Sequence, residues 1–325
     1  MADLPQRGAV VGCGVIGAAW AARMRLRGIN VAAYDPSPNA SEILDDVFAD
    51  AISAWDALGL STDHVGSLSL CASIEEAVAD AGLIQESVPE RLDIKHSTLA
   101  AIDAAAPADA IIASSTSGYK PTDLATSMAR PERLVVAHPF NPVYLLPLVE
   151  IVGGEQTSLG TIDRAMDTYR ALGMHPLHVR KEIDAFIADR LLEAVWREAL
   201  WLVNDGIATT EEIDDAIRYG FGLRWAQMGT FETYRIAGGE GGMRHFMEQF
   251  GPALKWPWTK LMDTPELTDE LIDTIAEQSD EQAAGRSIRD LAQERDRNLV
   301  AILRALESVD AGAGKTITNL RALQA

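Results

Sequence analysis

The string Gly12-Cys13-Gly14-Val15-Ile16-Gly17 constrains the fold of this chain more than any other six residues. It follows a short apolar run at 8–11 and opens a helical pattern over 17–27. A G-x-G-x-x-G turn between strand and helix is the fingerprint of a dinucleotide-binding unit. Gly12 makes the tight turn, Gly14 admits the pyrophosphate to the backbone, and Gly17 lets the helix pack close to the strand. The phosphates then rest on the helix N-terminus, where free N–H groups and the helix dipole favour negative charge. A second apolar run, 30–34, leads to Asp35, where a carboxylate binds the adenosine ribose hydroxyls and repels the 2′-phosphate of NADP. The cofactor expected on Gly12, Cys13, Gly14, Val15, Ile16, Gly17 and Asp35 is therefore NAD. Cys13 reads as a small residue tolerated in the turn.

Further apolar runs at 68–72, 82–88, 110–115, 134–138 and 148–152 alternate with helical patterns at 41–58, 74–80, 92–105 and 159–172. Strand–helix–strand alternation predicts a doubly wound, mostly parallel sheet. Near-continuous runs such as Ile111-Ile112 and Val135-Val136 fit strands covered on both faces. The texture changes after Lys181. Between 183 and 203 the apolar residues Phe186, Ile187, Leu191, Leu192, Val195, Trp196, Ala199, Leu200 and Val203 recur at helical spacing. That stripe predicts a long helix buried on most of its circumference. Thr209 or Thr210 can cap a further helix with Glu211 and Glu212 in its first turn. Segments 267–279 and 282–305 also read as helices, and no strand is expected. The fold class is α/β: a Rossmann domain over 1–183, then an all-helical substrate and dimerisation domain over 184–325.

The chain has 325 residues, and its formal charge of -20 repels nucleic acid and anionic membrane surfaces. No apolar run approaches the ~20 residues that span a bilayer. Cys13 and Cys71 are the only cysteines, which leaves no disulfide framework and makes the cytoplasm the expected compartment. The histidines at 64, 96, 175, 178 and 245 lack the spacing of a metal site, and none is expected. His175 and His178 flank Pro176 and Leu177 in a short extended segment that faces solvent.

His138 ends one apolar run and Glu150 lies in the next, with Pro142 and Pro147 breaking the chain between them. If the two runs lie side by side, the carboxylate can fix the imidazole's tautomer and steady its protonated form. That is what a general base needs while it removes an alcohol proton. On spacing alone, a purely structural His–Glu pair fits equally well.

The strings Glu86-Ser87-Val88-Pro89-Glu90, Ser115-Thr116-Ser117, His138-Pro139-Phe140-Asn141-Pro142, Leu148-Val149-Glu150 and Phe186-Ile187-Ala188-Asp189-Arg190-Leu191-Leu192 resemble the 3-hydroxyacyl-CoA dehydrogenase superfamily. The resemblance implies that His138 is the base, that Glu150 orients it and that Ser117 hydrogen-bonds at the reacting centre. It also implies that Glu90, Lys95 and Asn141 lie along the cofactor. One residue departs from the pattern: the family motif has Asn where this chain has Asp189, and an ionised Asp cannot donate the amide's hydrogen bonds.

Within the superfamily the chain resembles a carnitine-oxidising branch most. The strings that carry this are 181–186, 196–201, 220–225, 242–246 and 250–258. They imply oxidation of the 3-hydroxyl of carnitine with NAD, by a homodimer. A trimethylammonium group is recognised by aromatic faces, worth ~0.5–2 kcal/mol per ring. Five of the seven tryptophans lie from Trp196 onward. Trp196 and Phe221 are substrate candidates, although large aromatics of a helical domain are more often core. Arg190 and Arg224 are candidates for the substrate carboxylate, and Asp189 for the ammonium. The glycines 238, 239, 241 and 242 around Glu240 read as a surface turn that can move. Rival readings are an L-gulonate or 3-hydroxybutyryl-CoA dehydrogenase, and an NAD-binding protein without catalysis.

Overall fold

The computed structural model describes residues 4–237, 240, 242–250, 259–260, 266 and 268–324. Residues 238, 239 and 241 of the glycine-rich turn, and residues 251–258 of the last aromatic string, lie outside the described residues. The strands are β1 (Arg7–Val11), β2 (Asn30–Tyr34), β3 (Leu68–Leu70), β4 (Leu83–Glu86), β5 (Ile111–Ser114), β6 (Leu134–Pro139), β7 (Leu148–Val152) and β8 (His175–Val179). The helices are α1 (Val15–Leu26), α2 (Ala40–Leu58), α3 (Ile74–Val78), α4 (Leu92–Ala105), α5 (Pro121–Ala125), α6 (Leu159–Ala171) and α7 (Ala188–Asn204). They continue as α8 (Thr210–Ala216), α9 (Gly222–Ala237), α10 (Gly242–Phe250), α11 (Asp269–Ala283), α12 (Ile288–Ser308) and α13 (Gly314–Gln324). The chain divides into two compact units. One is Met1–Ala188 with Asp296–Glu307 and Ala313–Ala325; the other is Asp189–Arg295 with Ser308–Gly312.

The first unit holds one sheet of eight strands in the order β3-β2-β1-β4-β5-β6-β7-β8. Strands from β3 to β6 run parallel, β7 runs against β6, and β8 runs parallel to β7. The expected extended segment at His175 and His178 is thus the edge strand β8. An edge is where Pro176, which has no N–H to give a ladder, is tolerated. Both sheet faces are covered, which explains the continuous apolar runs. On one face Trp20, Trp55, Tyr169, Leu172, Leu303 and Leu320 share a core. On the other, Val78, Leu99, Ile102 and Leu124 do. The helix α13 belongs to this unit: the Arg321 guanidinium donates to the carbonyls of Leu58 and Gly59 at the end of α2. Strand order reverses between β1 and β4, the position where a doubly wound sheet opens a crevice at the carboxyl ends of its strands.

The second unit is helical throughout its described residues. Thr209 caps α8 in a reciprocal capping box with Glu212. The stripe from 183 to 203 departs from the sequence expectation in two ways. The helix begins only at Ala188, because Ala185 and Phe186 take positive φ and break the pattern before it. Its apolar face is also largely open within the chain: Leu191, Leu192 and Trp196 are 63%, 59% and 52% exposed. Similarly, the second of the two late helices starts at Ile288 rather than 282, since Ala284 and Gly285 adopt positive φ. No helix among the described residues is long and apolar enough to cross a membrane.

Candidate active site

The glycine loop lies at the carboxyl end of β1. Gly12 has φ +92°, and a Cβ there would come within 2.6 Å of the Ser87 carbonyl oxygen. A Cβ on Gly17 would sit 1.8 Å from the Gly12 carbonyl oxygen, so the strand and α1 meet with no room for a side chain. Gly14 differs: nothing lies within 4 Å of its missing Cβ. It is the N-cap of α1 but supplies no capping side chain, and the first turn of α1 carries no acid. Open space in front of uncapped helix N–H groups suits a pyrophosphate.

Asp35, just after β2, reaches back to this loop. Its Oδ2 accepts from the Cys13 N–H at 2.6 Å and its Oδ1 from the Ser37 N–H at 2.8 Å. Burial, assisted by the Asp35 charge, pushes the Cys13 thiol up to about 12, so it stays protonated and inert.

The loops after β4 and β5 are tied together by charge. The Lys95 ammonium is 1% exposed and lies 3.0 Å from Glu86 Oε1 and 3.2 Å from Glu90 Oε2. The second oxygen of Glu86 accepts from the Ser114 hydroxyl at 2.5 Å. Glu90 accepts from the Thr116 hydroxyl and, at 3.4 Å, from the Gly118 N–H. Glu90 is half-exposed, whereas Lys95 is buried beneath it. Thr116 and Gly118 flank Ser117, which is itself exposed. Sequence reasoning passed over Glu86 and Gln85. A polar pair inside the apolar run 82–88 was the available signal, because a fully covered strand tolerates such groups only when they are hydrogen-bonded.

His138 and Glu150 occupy directly paired positions of β6 and β7. Their side chains meet at 3.0 Å, Nδ1 to Oε2, with 7% and 0% exposure. The other carboxylate oxygen of Glu150 accepts from the N–H groups of Ile187 and Ala188, each at 3.0 Å. The Phe140 and Phe186 rings pack on the imidazole with centroids at 5.0 and 5.7 Å. Phe186, which the helical spacing had placed in the stripe, thus serves the histidine instead. Asn141 is exposed just beyond β6.

The remaining candidates belong to the second unit. Asp189 stands in the first turn of α7, where the helix dipole favours a carboxylate. Arg190 and Arg224 are exposed. Trp196 projects from the open face of α7, and Phe221 packs against Trp225 at 4.5 Å between ring centroids.

A glycine cradle at a sheet switch point, an acid just after the second strand and a buried His–Glu pair in the same sheet fit an NAD-dependent oxidoreductase that acts on a CH–OH group. The model of the 3-hydroxyacyl-CoA dehydrogenase NAD-binding domain matches residues 8–183, and that of the family's C-terminal domain matches residues 186–276. The chain belongs to the 3-hydroxyacyl-CoA dehydrogenase family. It is 61% identical to an L-carnitine dehydrogenase of Mesorhizobium japonicum over 95% of this chain and 85% of the relative. It is 60% identical to an L-carnitine dehydrogenase/betainyl-CoA thioesterase of Agrobacterium fabrum, of whose length it spans 63%. Among solved structures, an NAD+-dependent 5-formyl-3-hydroxy-2-methylpyridine 4-carboxylic acid 5-dehydrogenase superposes with a TM-score of 0.79. That protein shares 29% identity over 94% of this chain and 99% of its own.

Proposed function

We propose that the chain oxidises the 3-hydroxyl of L-carnitine to 3-dehydrocarnitine. The observation that carries the mechanism is the 3.0 Å contact between His138 Nδ1 and Glu150 Oε2. A carboxylate there takes the Nδ1 proton as its hydrogen bond and makes Nε2 the unprotonated, basic nitrogen of the ring. Nε2 removes the hydroxyl proton of the substrate as the carbonyl forms. A bound NAD would supply the hydride acceptor for the carbon that bears this hydroxyl. Ser117 donates to the substrate oxygen. Glu90, Lys95 and Asn141 support the cofactor, with Lys95 acting through the Glu90 carboxylate it holds.

The choice of carnitine follows the named relatives and the chemistry of the second unit. Asp189 offsets the trimethylammonium charge, with Trp196 or Phe221 offering an aromatic face, and Arg190 or Arg224 binds the carboxylate. Residues 1–183 bind NAD, and residues 184–325 serve substrate binding and dimerisation. The open apolar face of α7, with Leu192, Val195 and Trp196 beside Ile213 and Ile217, favours a homodimer.

NADH formation measured side by side with L-carnitine, L-gulonate and 3-hydroxybutyryl-CoA tests the reading. Turnover with carnitine at a kcat/KM at least about tenfold above the others is expected, a margin of ~1.4 kcal/mol. Turnover of a rival alone would reassign the substrate. Silence with all three, NAD binding being intact, would leave a cofactor-binding protein.

A further inference from the structure

A second polar chain, separate from the His–Glu pair, runs through the first unit and ends at the glycine loop. It starts at Tyr169 on α6, whose buried phenol packs beside Trp20 at 5.4 Å between ring centroids. Burial pushes the phenol's pKa well above its ordinary value, so it remains a donor. Its hydroxyl donates to Gln85 Oε1 at 2.7 Å. The amide nitrogen of Gln85, which is completely buried in β4, donates to the Ser115 hydroxyl at 2.7 Å and to the Ala137 carbonyl at 3.4 Å. Ser115 and Ser87 share a hydroxyl–hydroxyl bond of 2.8 Å.

The orientation of the Gln85 amide follows from its neighbours. The Ala137 carbonyl can only accept, so the amide nitrogen lies on that side and the oxygen faces the phenol. Ser115 therefore receives one hydrogen bond from Gln85. The two serines then hold two hydroxyl protons and one bond between them, so one proton is left unspent. A hydroxyl that accepts a hydrogen bond becomes the better donor, which directs Ser115 onto Ser87 and leaves the Ser87 proton outward. Ser87 is half-buried, and its backbone carbonyl is what a Cβ on Gly12 would strike at 2.6 Å. Its Cβ would lie 3.2 Å from one on Gly17. Ser87 thus carries its hydroxyl just past the end of β4, with its backbone carbonyl against Gly12 and its Cβ against Gly17 of the cradle.

We infer that Ser87 is a further cofactor-contacting residue, a hydroxyl donor to an oxygen of NAD, and that Gln85 is the positioning residue that sets its polarity through Ser115. The recognised chemistry is an oxygen acceptor of the pyrophosphate or of the sugar beside it. A carboxamide in the middle of a covered strand has a high desolvation cost, and this chain of partners gives it a use.

The test is NAD affinity by titration calorimetry, which does not depend on the alcohol substrate. Ser87→Ala should raise the NAD Kd about three- to tenfold, the span of one hydrogen bond, and lower the melting temperature without NAD only through the lost Ser115 bond. Gln85→Leu should raise the Kd in the same direction, and the double variant should bind no worse than Ser87→Ala alone, since both act through one donor. If Gln85→Leu fails to fold, Gln85→Met replaces it, removing the amide donor to Ser115 while keeping the length of the side chain. An NAD Kd within twofold of the parent for Ser87→Ala overturns the contact. Full additivity in the double variant overturns the positioning role.

Discussion

Glu150 uses both carboxylate oxygens at once: Oε2 holds His138 Nδ1 at 3.0 Å and Oε1 holds the backbone of Ile187 and Ala188. The residue that holds the His138 imidazole therefore also fixes the turn that seats Phe186 against it. His138→Ala should lower kcat by ~10²–10⁴-fold, the range of general base catalysis, with the NAD Kd unchanged. Glu150→Gln should cost at least about tenfold in kcat and also lower the melting temperature. A glutamine has one oxygen for three donors, so either the imidazole or the two N–H groups lose their acceptor. A loss below tenfold in His138→Ala would remove it from the role of base.

Gly14 and Gly17 separate cofactor binding from folding. A methyl on Gly14 meets nothing within 4 Å, and its backbone at φ −66° accepts alanine. Gly14→Ala should leave the melting temperature without NAD unchanged while weakening NAD binding, since the methyl occupies the approach to the helix N-terminus. Gly17→Ala drives a methyl to 1.8 Å from the Gly12 carbonyl oxygen and should destabilise the protein with or without NAD. Thermal melts of the two variants with and without NAD check both halves. A lowered melting temperature for Gly14→Ala without NAD would show that this glycine serves the protein rather than the ligand.

Much of this site was legible because local rules act over short distances. The glycine turn, the strand ending before Asp35 and the two apolar runs that become β6 and β7 all follow from periodicity and breakers within a few residues, whereas the pairing of those two runs was only a condition. Residues whose partners are distant in sequence were not legible in the same way. Lys95 is expected along the cofactor only by resemblance, and its burial between Glu86 of β4 and Glu90 beyond it follows from partners that its own helix does not show. Phe186 fits a helical period, and only the positive φ at 185 and 186 removes it from the helix. The openness of the α7 stripe was equally hidden, since spacing identifies an apolar face but not what covers it.

Asp35 combines a geometric and an electrostatic task. Its oxygens hold the Cys13 and Ser37 N–H groups, and if it faces the adenosine ribose its charge would exclude a 2′-phosphate. Asp35→Asn keeps one acceptor and removes the charge. The ratio of kcat/KM for NAD to that for NADP should fall by at least about tenfold, equivalent to ~1.4 kcal/mol. A steady-state comparison of the two cofactors with one alcohol measures it, and an unchanged ratio would mean that the charge does not select the cofactor.

Asp103 on α4 forms an internal ion pair with Arg133, 2.7 Å from oxygen to nitrogen, just before β6. Burial works to raise the Asp103 carboxyl, but hydrogen bonds from Arg133, Arg130 and Ala129 outweigh it and hold the pKa below its ordinary value. A depressed folded-state value contributes stability that is present above the unfolded pKa of ~3.9 and lost as pH falls through the folded one. Asp103→Asn should lower stability at neutral pH by about 3–5 kcal/mol, because Arg133 is left buried and unpaired. It should also flatten the fall in stability below about pH 4. Denaturant melts of both proteins across pH 3–7 compare the slopes, and parallel slopes would exclude Asp103 from the acid response.

Asp189 stands in the first turn of α7. If its charge faces the trimethylammonium group, removing that charge should act on substrate affinity and not on the cofactor. Asp189→Asn should raise the KM for L-carnitine by about fivefold, the worth of ~1 kcal/mol for one partly screened charge pair, and leave the NAD Kd unchanged. The parent's KM should climb with ionic strength more steeply than the variant's, because screening weakens only an interaction between charges. Helix stability offers the competing explanation for an acid at this position. A lower melting temperature with an unchanged KM would select that explanation and leave the ammonium group to the aromatic residues.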